Sequence, residues 1–238
     1  MNSLKELQAM WVDTPQFHSM VNENFIELVN NDVELKAYRD YIEQTASGFG
    51  ERSFTWLHKL LVDEMPEKFT IVEIGVYKGA ILALYKILEK LSGKKIKRIG
   101  ITPLDNSDGH LDLDYGAEIL RVHRELGIST SGMFIFMGAS QDMDIIEKVN
   151  TSVKTDILYI DGHHGYVETL SDLRNYEPIL KSGGYLIIDD SCNDMKMPWG
   201  YFQGIQNVTN ALLDYMEEDG DKFEFIGNVV HNRIYRKK

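Results

Sequence analysis

Side chains that could bind a metal ion or move a proton follow two of the apolar runs in this 238-residue sequence. Asp161 and His164 come after one run, and Asp189 and Asp190 directly follow the next. If the two runs are neighbouring parallel strands, three carboxylates meet at one edge of a sheet, where a pair about 4 Å apart repels by about 4 kcal/mol at an effective dielectric constant of 20. A divalent cation such as Mg²⁺, which prefers carboxylate and water ligands, would relieve that repulsion. The alternative is a set of solvated or helix-capping aspartates.

A glycine-containing turn is the second feature with possible chemistry, and it occupies residues 73–79. Gly75 and Gly79 permit a tight turn and let a ligand approach the backbone at the start of a helix. Their spacing is not the G-x-G-x-x-G of dinucleotide enzymes, which disfavours an NAD-dependent oxidoreductase without excluding it. The two glycines could also serve packing alone.

The elements that position these residues are short apolar runs that alternate with helical stretches, a pattern typical of a parallel sheet buried on both faces. Candidate parallel strands lie at residues 70–75, 98–101, 133–137, 156–160 and 185–188. Helical periodicity covers residues 80–91, 115–126, 142–149 and 166–180. The pattern predicts a doubly wound α/β sheet, in which ligands bind beyond the carboxyl ends of the strands.

The C-terminal part completes the predicted sheet. After a helix around residues 208–216, two further strand-like segments, 223–226 and 232–235, flank Gly227 and Asn228. This pair is compatible with a turn between antiparallel strands. We therefore expect a mostly parallel seven-stranded sheet that ends in an antiparallel hairpin.

Residues 1–52 differ in character from the rest of the chain. Their apolar residues recur at roughly helical spacing among acidic and amide residues, as in Trp11, Phe17, Met20, Phe25, Ile26, Leu28 and Val29. We expect an N-terminal helical extension that packs on a main domain of residues 53–238. Such helices could cover a site or join a homo-oligomer, or they could simply pack on the sheet.

The composition limits the possible binding partners and the possible cellular location of the protein. The net charge of -12 and the pI near 5.0 disfavour binding to nucleic acid, since no concentrated basic patch offsets them. We expect no membrane insertion, because no apolar run approaches the roughly 20 residues that a bilayer crossing needs. A single cysteine, Cys192, excludes an intramolecular disulfide, and the first thirty residues lack the apolar core of a signal peptide. These features predict a cytoplasmic protein.

Three segments resemble class I S-adenosylmethionine-dependent methyltransferases. Residues 73–79, and the stretch that runs from residues 161–166 through 180–184 to 189–190, resemble the macrocin O-methyltransferase family of sugar and antibiotic methylators. Residues 138–142 are similar to the adenine-contacting loop of catechol O-methyltransferase. The resemblance implies a Rossmann-like methyltransferase fold that binds S-adenosylmethionine.

The resemblance also implies which residues contact the cofactor. The methionine part of S-adenosylmethionine is expected to lie near Glu73, Gly75, Tyr77, Gly79 and Asp161. The adenine is expected to be held by Ala139, Ser140 and Gln141. The acid that usually ends the second strand and binds the ribose hydroxyls is missing from residues 100–103, and Asp105 could substitute for it.

The resemblance also implies roles in the reaction. Asp161, Asp189 and Asp190 match the metal-binding acids of both families, and His164 occupies the position of their catalytic base. The implied activity is methylation of a hydroxyl on a small molecule, a sugar or another polyhydroxylated natural product. A cation would lower the pKa of the coordinated hydroxyl, and an imidazole would remove its proton. The alternatives are a metal-independent methyltransferase that acts on nitrogen or a phosphoryl oxygen, and a nucleotide-binding module without catalysis.

Overall fold

A computed structural model describes residues 1–104 and 114–238. Within these ranges the strands are β1 Lys68–Ile74, β2 Lys95–Thr102, β3 Met133–Met137, β4 Thr155–Ile160, β5 Leu180–Ile188, β6 Phe223–Val229 and β7 Asn232–Lys237. They form a sheet of order β3-β2-β1-β4-β5-β7-β6, in which β7 pairs antiparallel with both β5 and β6 and the other pairings are parallel. The predicted fold, a mostly parallel seven-stranded sheet with an antiparallel C-terminal hairpin, is confirmed.

Helices cover both faces of this sheet. They are α1 Leu4–Met10, α2 Pro15–Asn31, α3 Val33–Thr45, α4 Ser53–Glu64, α5 Ala80–Ser92, α6 Tyr115–Glu125, α7 Met143–Ser152, α8 Tyr166–Tyr176 and α9 Gln206–Asp219. Helix α8 ends four residues before the predicted boundary at residue 180, because Pro178 has no backbone N–H to continue it and Glu177–Ile179 forms a 3₁₀ turn instead.

The inner strands are apolar at successive positions because both of their faces are buried. Ile71 and Ile157 belong to the core on one face, and their neighbours Val72 and Leu158 belong to the core on the other. Successive side chains of a strand point to opposite faces, so a strand covered on both sides must be apolar throughout. This is why β1 and β4 are recognisable from composition.

Residues 1–52 contribute α1, α2 and α3, and these helices share a core with the sheet. Thr14 caps α2 by accepting a hydrogen bond from the amide of Phe17, and Pro15 occupies the first turn. Phe25 of α2 is fully buried in the same cluster as Ile234 of β7. The domain boundary at residue 52 and an oligomer formed through these helices stay predictions.

No helix in the described ranges is both long enough and apolar enough to cross a bilayer. The cytoplasmic location stays a prediction.

The turn of the C-terminal hairpin differs from the prediction. Gly227 and Asn228 continue β6, and the turn lies at Val230 and His231. The Asn228 side chain is buried, where it accepts a hydrogen bond from Trp11 Nε1 at 2.8 Å and donates one to the Val230 carbonyl at 3.0 Å. A buried amide with both partners stabilises the longer strand, and the turn then places His231 at the carboxyl end of β5.

Candidate functional site

The carboxyl ends of β1, β4 and β5 meet at one edge of the sheet. The amide of Asp161 donates to the Ile74 carbonyl at 2.9 Å, and the amide of Asp189 donates to the Ile160 carbonyl at 3.0 Å, so the first residues after the three strands lie side by side. A cavity of about 500 Å³ opens at this edge. Its walls include the predicted acids and several residues of the N-terminal segment.

His164 lies between two of the predicted acids. Its Nε2 is 3.5 Å from Asp161 Oδ1 and 3.5 Å from Asp190 Oδ2, and 44% of its side chain is exposed. Contact with Asp161 raises the pKa of His164. Burial, together with the nearby charge of Asp189, raises the pKa of Asp161 to about 7. The structure therefore brings the predicted base and the predicted acids into one group.

Asp189 and Asp190 have different electrostatic environments although they are adjacent in sequence. Burial would raise the pKa of Asp189, but the contact and charge of His231 outweigh burial and lower it. Tyr159 donates a hydrogen bond to Asp189 Oδ2 at 2.7 Å, and Asn232 Nδ2 donates one to Oδ1 at 2.7 Å. Burial and the charge of Asp189 instead raise the pKa of Asp190 to about 6.

Asp190 also has an unusual backbone conformation. Its φ of 53° lies in the left-handed region, which is costly for a residue with a side chain. The surrounding chain fixes this geometry: the Asp190 amide donates to Asp189 Oδ1 at 2.9 Å, and its carbonyl accepts from the Ile205 amide at 2.8 Å. The backbone thus directs the Asp190 carboxylate into the cavity beside Asp189.

His231 is a site residue that the sequence reasoning missed. Its Nε2 lies 3.2 Å from Asp189 Oδ1 and 3.6 Å from Asp190 Oδ1. The residue is 4% exposed, and although burial opposes a charge, contact with Asp189 raises the pKa of His231 to about 9. The only sequence signal was a histidine close to the predicted turn of the last hairpin.

The glycine turn lies beside the acids. Gly75 has a φ of 92°, and a Cβ atom there would lie 1.8 Å from the Asp161 carbonyl oxygen. Glycine is therefore required by the backbone crossing itself, whatever ligand binds there. Gly79 is the N-cap residue of α5 with a φ of 78°, and it is not among the residues that line the cavity.

Glu73 and Tyr77 do line the cavity. Glu73 is 3% exposed, its Oε2 has no hydrogen-bond partner among the described residues, and burial raises its pKa well above the usual range. The Tyr77 ring packs on Phe49 with 5.0 Å between centroids. An unpartnered buried carboxylate oxygen in a cavity suits a ligand that carries a positive charge.

The loop of Ala139, Ser140 and Gln141 follows β3 and lies outside the lining of this cavity. Gln141 Nε2 donates to Asp172 Oδ1 at 2.9 Å, and Tyr176 donates to the Ser140 carbonyl at 2.7 Å. These bonds attach the loop to α8, at the same edge of the sheet as the acids. Asp105, the predicted ribose ligand, lies outside the described residues.

The N-terminal segment supplies a wall that sequence reasoning did not assign to the site. Arg39, Phe49 and Glu51 contribute to this wall from residues 1–52, and Phe54 and His58 of α4 continue it. His58 is fully buried, its Nδ1 lies 3.0 Å from the Tyr85 hydroxyl, and burial lowers its pKa to about 4. The signal for this wall was the amphipathic pattern of residues 1–52, which left a covering role open.

Comparison with known proteins places this geometry in context. A family model described as a methyltransferase domain matches residues 72–191, about half of the chain. The uncharacterized protein R132 of Acanthamoeba polyphaga mimivirus is 28% identical over 170 residues, which are 68% of this chain and 71% of that protein.

Two solved structures are similar over nearly the whole chain. A Staphylococcus aureus protein assigned as a caffeoyl-CoA O-methyltransferase superposes with a TM-score of 0.62 at 17% identity, covering 92% of this chain and 99% of that one. CalS11, a TDP-rhamnose 3'-O-methyltransferase of calicheamicin biosynthesis, superposes with a TM-score of 0.57 at 14% identity, covering 97% and 98%. Both likenesses concern the fold.

Proposed function

The chain belongs to the methyltransferase-domain family and is a methyltransferase, and from this premise we propose that it methylates a hydroxyl group of a sugar or another polyhydroxylated natural product. In this proposal the methyl donor is S-adenosylmethionine, and a divalent cation assists the reaction. The observation that carries the proposal is the meeting of Asp161, Asp189 and Asp190 with His164 in one cavity beside the Gly75 turn.

The residues at this edge fit a divalent cation. Asp161, Asp189 and Asp190 offer carboxylate oxygens, which are the ligands that hard and borderline dications prefer. Without a cation, burial and the charge of Asp189 raise the pKa of both other acids, and the second cause is that expected of carboxylates held together against their repulsion. We propose that these three acids hold the cation and that Tyr159 and Asn232 orient Asp189 through their hydrogen bonds.

The residues also fit S-adenosylmethionine. Glu73 has a buried oxygen without a partner, which suits the ammonium group of the methionine part, and Tyr77 lies in the same wall. We propose that Gly75 and Gly79 allow the backbone to approach the methionine part, that Asp161 contacts it, and that the loop of Ala139, Ser140 and Gln141 holds the adenine. Asp105 remains the proposed ribose ligand.

When bound, the donor supplies an electrophilic methyl group and the cation supplies a charge that makes a hydroxyl more acidic. The protein's own part is to align the acceptor and to move one proton. We propose that His164 accepts that proton at Nε2, since this atom faces Asp161 and Asp190 and its ring is open to the solvent side of the cavity. The N-terminal wall limits the access of water.

A polyhydroxylated acceptor is supported by the mixed character of the cavity. Phe54 and Phe202 present apolar rings beside His231, while the acids present polar groups to adjacent hydroxyls. The likeness to CalS11, whose name describes methylation of a sugar hydroxyl, favours the same class of acceptor.

The test is a transfer assay with methyl-labelled S-adenosylmethionine and a panel of nucleotide sugars, glycosides and catechols. The proposal predicts an O-methylated product that forms with added Mg²⁺ or Mn²⁺ and disappears in excess chelator. A product methylated on nitrogen or on a phosphoryl oxygen, or equal turnover with and without chelator, would contradict it. Asp189→Asn serves as the matched variant that keeps the shape of the side chain and removes its charge.

A further inference from the structure

The position of His231 suggests a more specific account of the cation site. Among the described residues, ligand atoms of Asp189, Asp190 and His231 all lie within 4.8 Å of one another. Two carboxylates and an imidazole at this spacing form a mixed oxygen and nitrogen donor set. The imidazole is 4% exposed, so its Nε2 faces the two acids rather than solvent.

The other ring nitrogen of His231 faces a carboxylate from the N-terminal segment. Nδ1 lies 3.5 Å from Glu51 Oε2, and neither atom has a hydrogen-bond partner among the described residues. A proton on Nδ1, directed at Glu51, leaves the lone pair on Nε2 directed at Asp189 and Asp190. A carboxylate behind a histidine in this way is the arrangement that fixes the ring and the tautomer of metal-binding histidines.

The ring is held in this orientation by its surroundings. Phe54 and Phe202 contact it edge-on, with centroids 4.8 and 5.1 Å away. The His231 carbonyl accepts a hydrogen bond from the Ser191 amide at 3.0 Å, which ties the hairpin turn to the segment that follows Asp190. A ligand held from several sides loses little conformational freedom when it binds a cation.

His164 has a different environment, although it is also close to the acids. It is 44% exposed, and only its Nε2 faces acids, with no carboxylate contacting Nδ1 in the parts of the chain that the structure describes. An exposed ring without support behind it is free to exchange protons with an acceptor. The two histidines are therefore suited to different tasks.

We propose that His231 is a direct ligand of the cation through Nε2, that Glu51 positions it through Nδ1, and that the site consequently prefers a transition-metal dication such as Mn²⁺, Fe²⁺ or Co²⁺ over Mg²⁺. This inference rests on the proposed function, because it specifies the metal class of the same site. Imidazole suits first-row transition metals, whereas Mg²⁺ favours oxygen ligands and retains water. Glu51 thereby links the segment after α3 to the metal.

The test uses the full chain stripped of metal with chelator and titrated with Mn²⁺, with the free ion followed by electron paramagnetic resonance. Pulsed measurements on the bound ion then report whether a ¹⁴N nucleus is coupled to it. We expect one bound Mn²⁺ per chain with a directly coordinated ¹⁴N, and weaker binding of Mg²⁺ in competition.

Three variants separate the possible nitrogen donors and the role of Glu51. His231→Gln should abolish the ¹⁴N coupling and weaken Mn²⁺ binding more than Mg²⁺ binding. Glu51→Gln should keep the coupling and weaken Mn²⁺ binding by roughly 10-fold to 100-fold, the usual effect of losing the group behind a metal ligand. His164→Gln, the matched control that removes the other imidazole near the acids, should keep the ¹⁴N coupling, and circular dichroism verifies that each variant is folded.

The outcomes distinguish this inference from the function on which it rests. Bound Mn²⁺ without ¹⁴N coupling, or with coupling that survives in His231→Gln, would overturn the ligand assignment and leave a cation site of oxygen ligands. Coupling lost in His164→Gln would transfer the nitrogen ligand to that residue and also overturn the inference. Failure to bind either Mn²⁺ or Mg²⁺ would overturn both the inference and the metal-assisted mechanism.

Discussion

Without a bound cation, the protein should lose stability as the pH rises from about 6.5 to about 9, because His231 is held as a cation among carboxylates. Asp189, Asp190 and Glu51 all face its ring, and together they outweigh burial and raise the pKa of His231 to about 9. In the unfolded chain a histidine has a pKa of about 6.5. The folded state therefore binds this proton more tightly, and the stabilisation is complete below pH 6.5 and lost above pH 9.

The magnitude follows from the difference between the two pKa values. About 2.5 units at 1.36 kcal/mol per unit give about 3 kcal/mol in the free energy of unfolding. The side chain is buried, so solvent screening reduces this figure little. Asp161 and Asp190, whose pKa values are raised to about 7 and about 6, make the folded state less stable as the pH rises from about 4 to 7, and they add little above pH 7.

Urea unfolding in excess chelator between pH 6 and pH 9.5 measures the effect. As the pH rises above 6.5, the free energy of unfolding of the wild-type protein should fall by about 3 kcal/mol more than that of His231→Gln. Equal pH dependence in the two proteins would refute the placement of a charged His231 among the acids. Excess Mn²⁺ should flatten the wild-type profile, because the bound cation replaces the proton as the partner of the carboxylates.

The remaining predictions concern the turn, the base and the cofactor carboxylate. In urea unfolding, Gly75→Ala should lower the free energy of unfolding by at least about 4 kcal/mol, because the new Cβ meets the Asp161 carbonyl. Its control is Gly93→Ala, at a φ of 73° with open space around it, which should lower the free energy of unfolding by about 1–2 kcal/mol. His164→Ala should lower the single-turnover methyl-transfer rate by about 10²-fold to 10⁴-fold with product affinity unchanged. His163→Ala should have a much smaller effect, since that ring is exposed and its Nδ1 contacts the Gly165 amide and Glu168 rather than the acids of the site. Equal losses in the two variants would contradict the assignment. Glu73→Gln should weaken binding of S-adenosylhomocysteine by about 10-fold to 100-fold in calorimetry, from the loss of about 1.5–3 kcal/mol in a charged hydrogen bond, without lowering the melting temperature. An unchanged affinity would show that Glu73 does not bind the ligand.

The central sheet could be predicted from sequence because buried parallel strands carry a local signature. The apolar runs in β1 and β4 are continuous, since Ile71 and Val72 face opposite cores, and no long-range information is needed to recognise them. The hairpin turn could not be located in the same way. Asn228 has the composition of a turn residue, but its buried hydrogen bonds with Trp11 and Val230 keep it in the strand, and those contacts exist only in the folded chain.

The candidate site, too, could be predicted from the sequence only in part. Asp161, His164, Asp189 and Asp190 follow strand ends directly, and the rule that parallel strands end at one edge was enough to group them. His231 joins them only because β7 pairs with β5 in a particular antiparallel register, with Arg233 opposite Ile188. Glu51 joins them because α3, which precedes it, packs against α5, and α4, which follows it, packs against α5 and β6. Neither arrangement leaves a local pattern in the sequence.

Calorimetric titration of the wild-type protein with S-adenosylhomocysteine, the demethylated form of the donor, tests the central claim most directly, with NAD titrated in parallel. We expect one molecule of S-adenosylhomocysteine bound per chain, a clear loss of affinity in Glu73→Gln, and no binding of NAD. A folded protein that binds NAD but not S-adenosylhomocysteine would contradict the account.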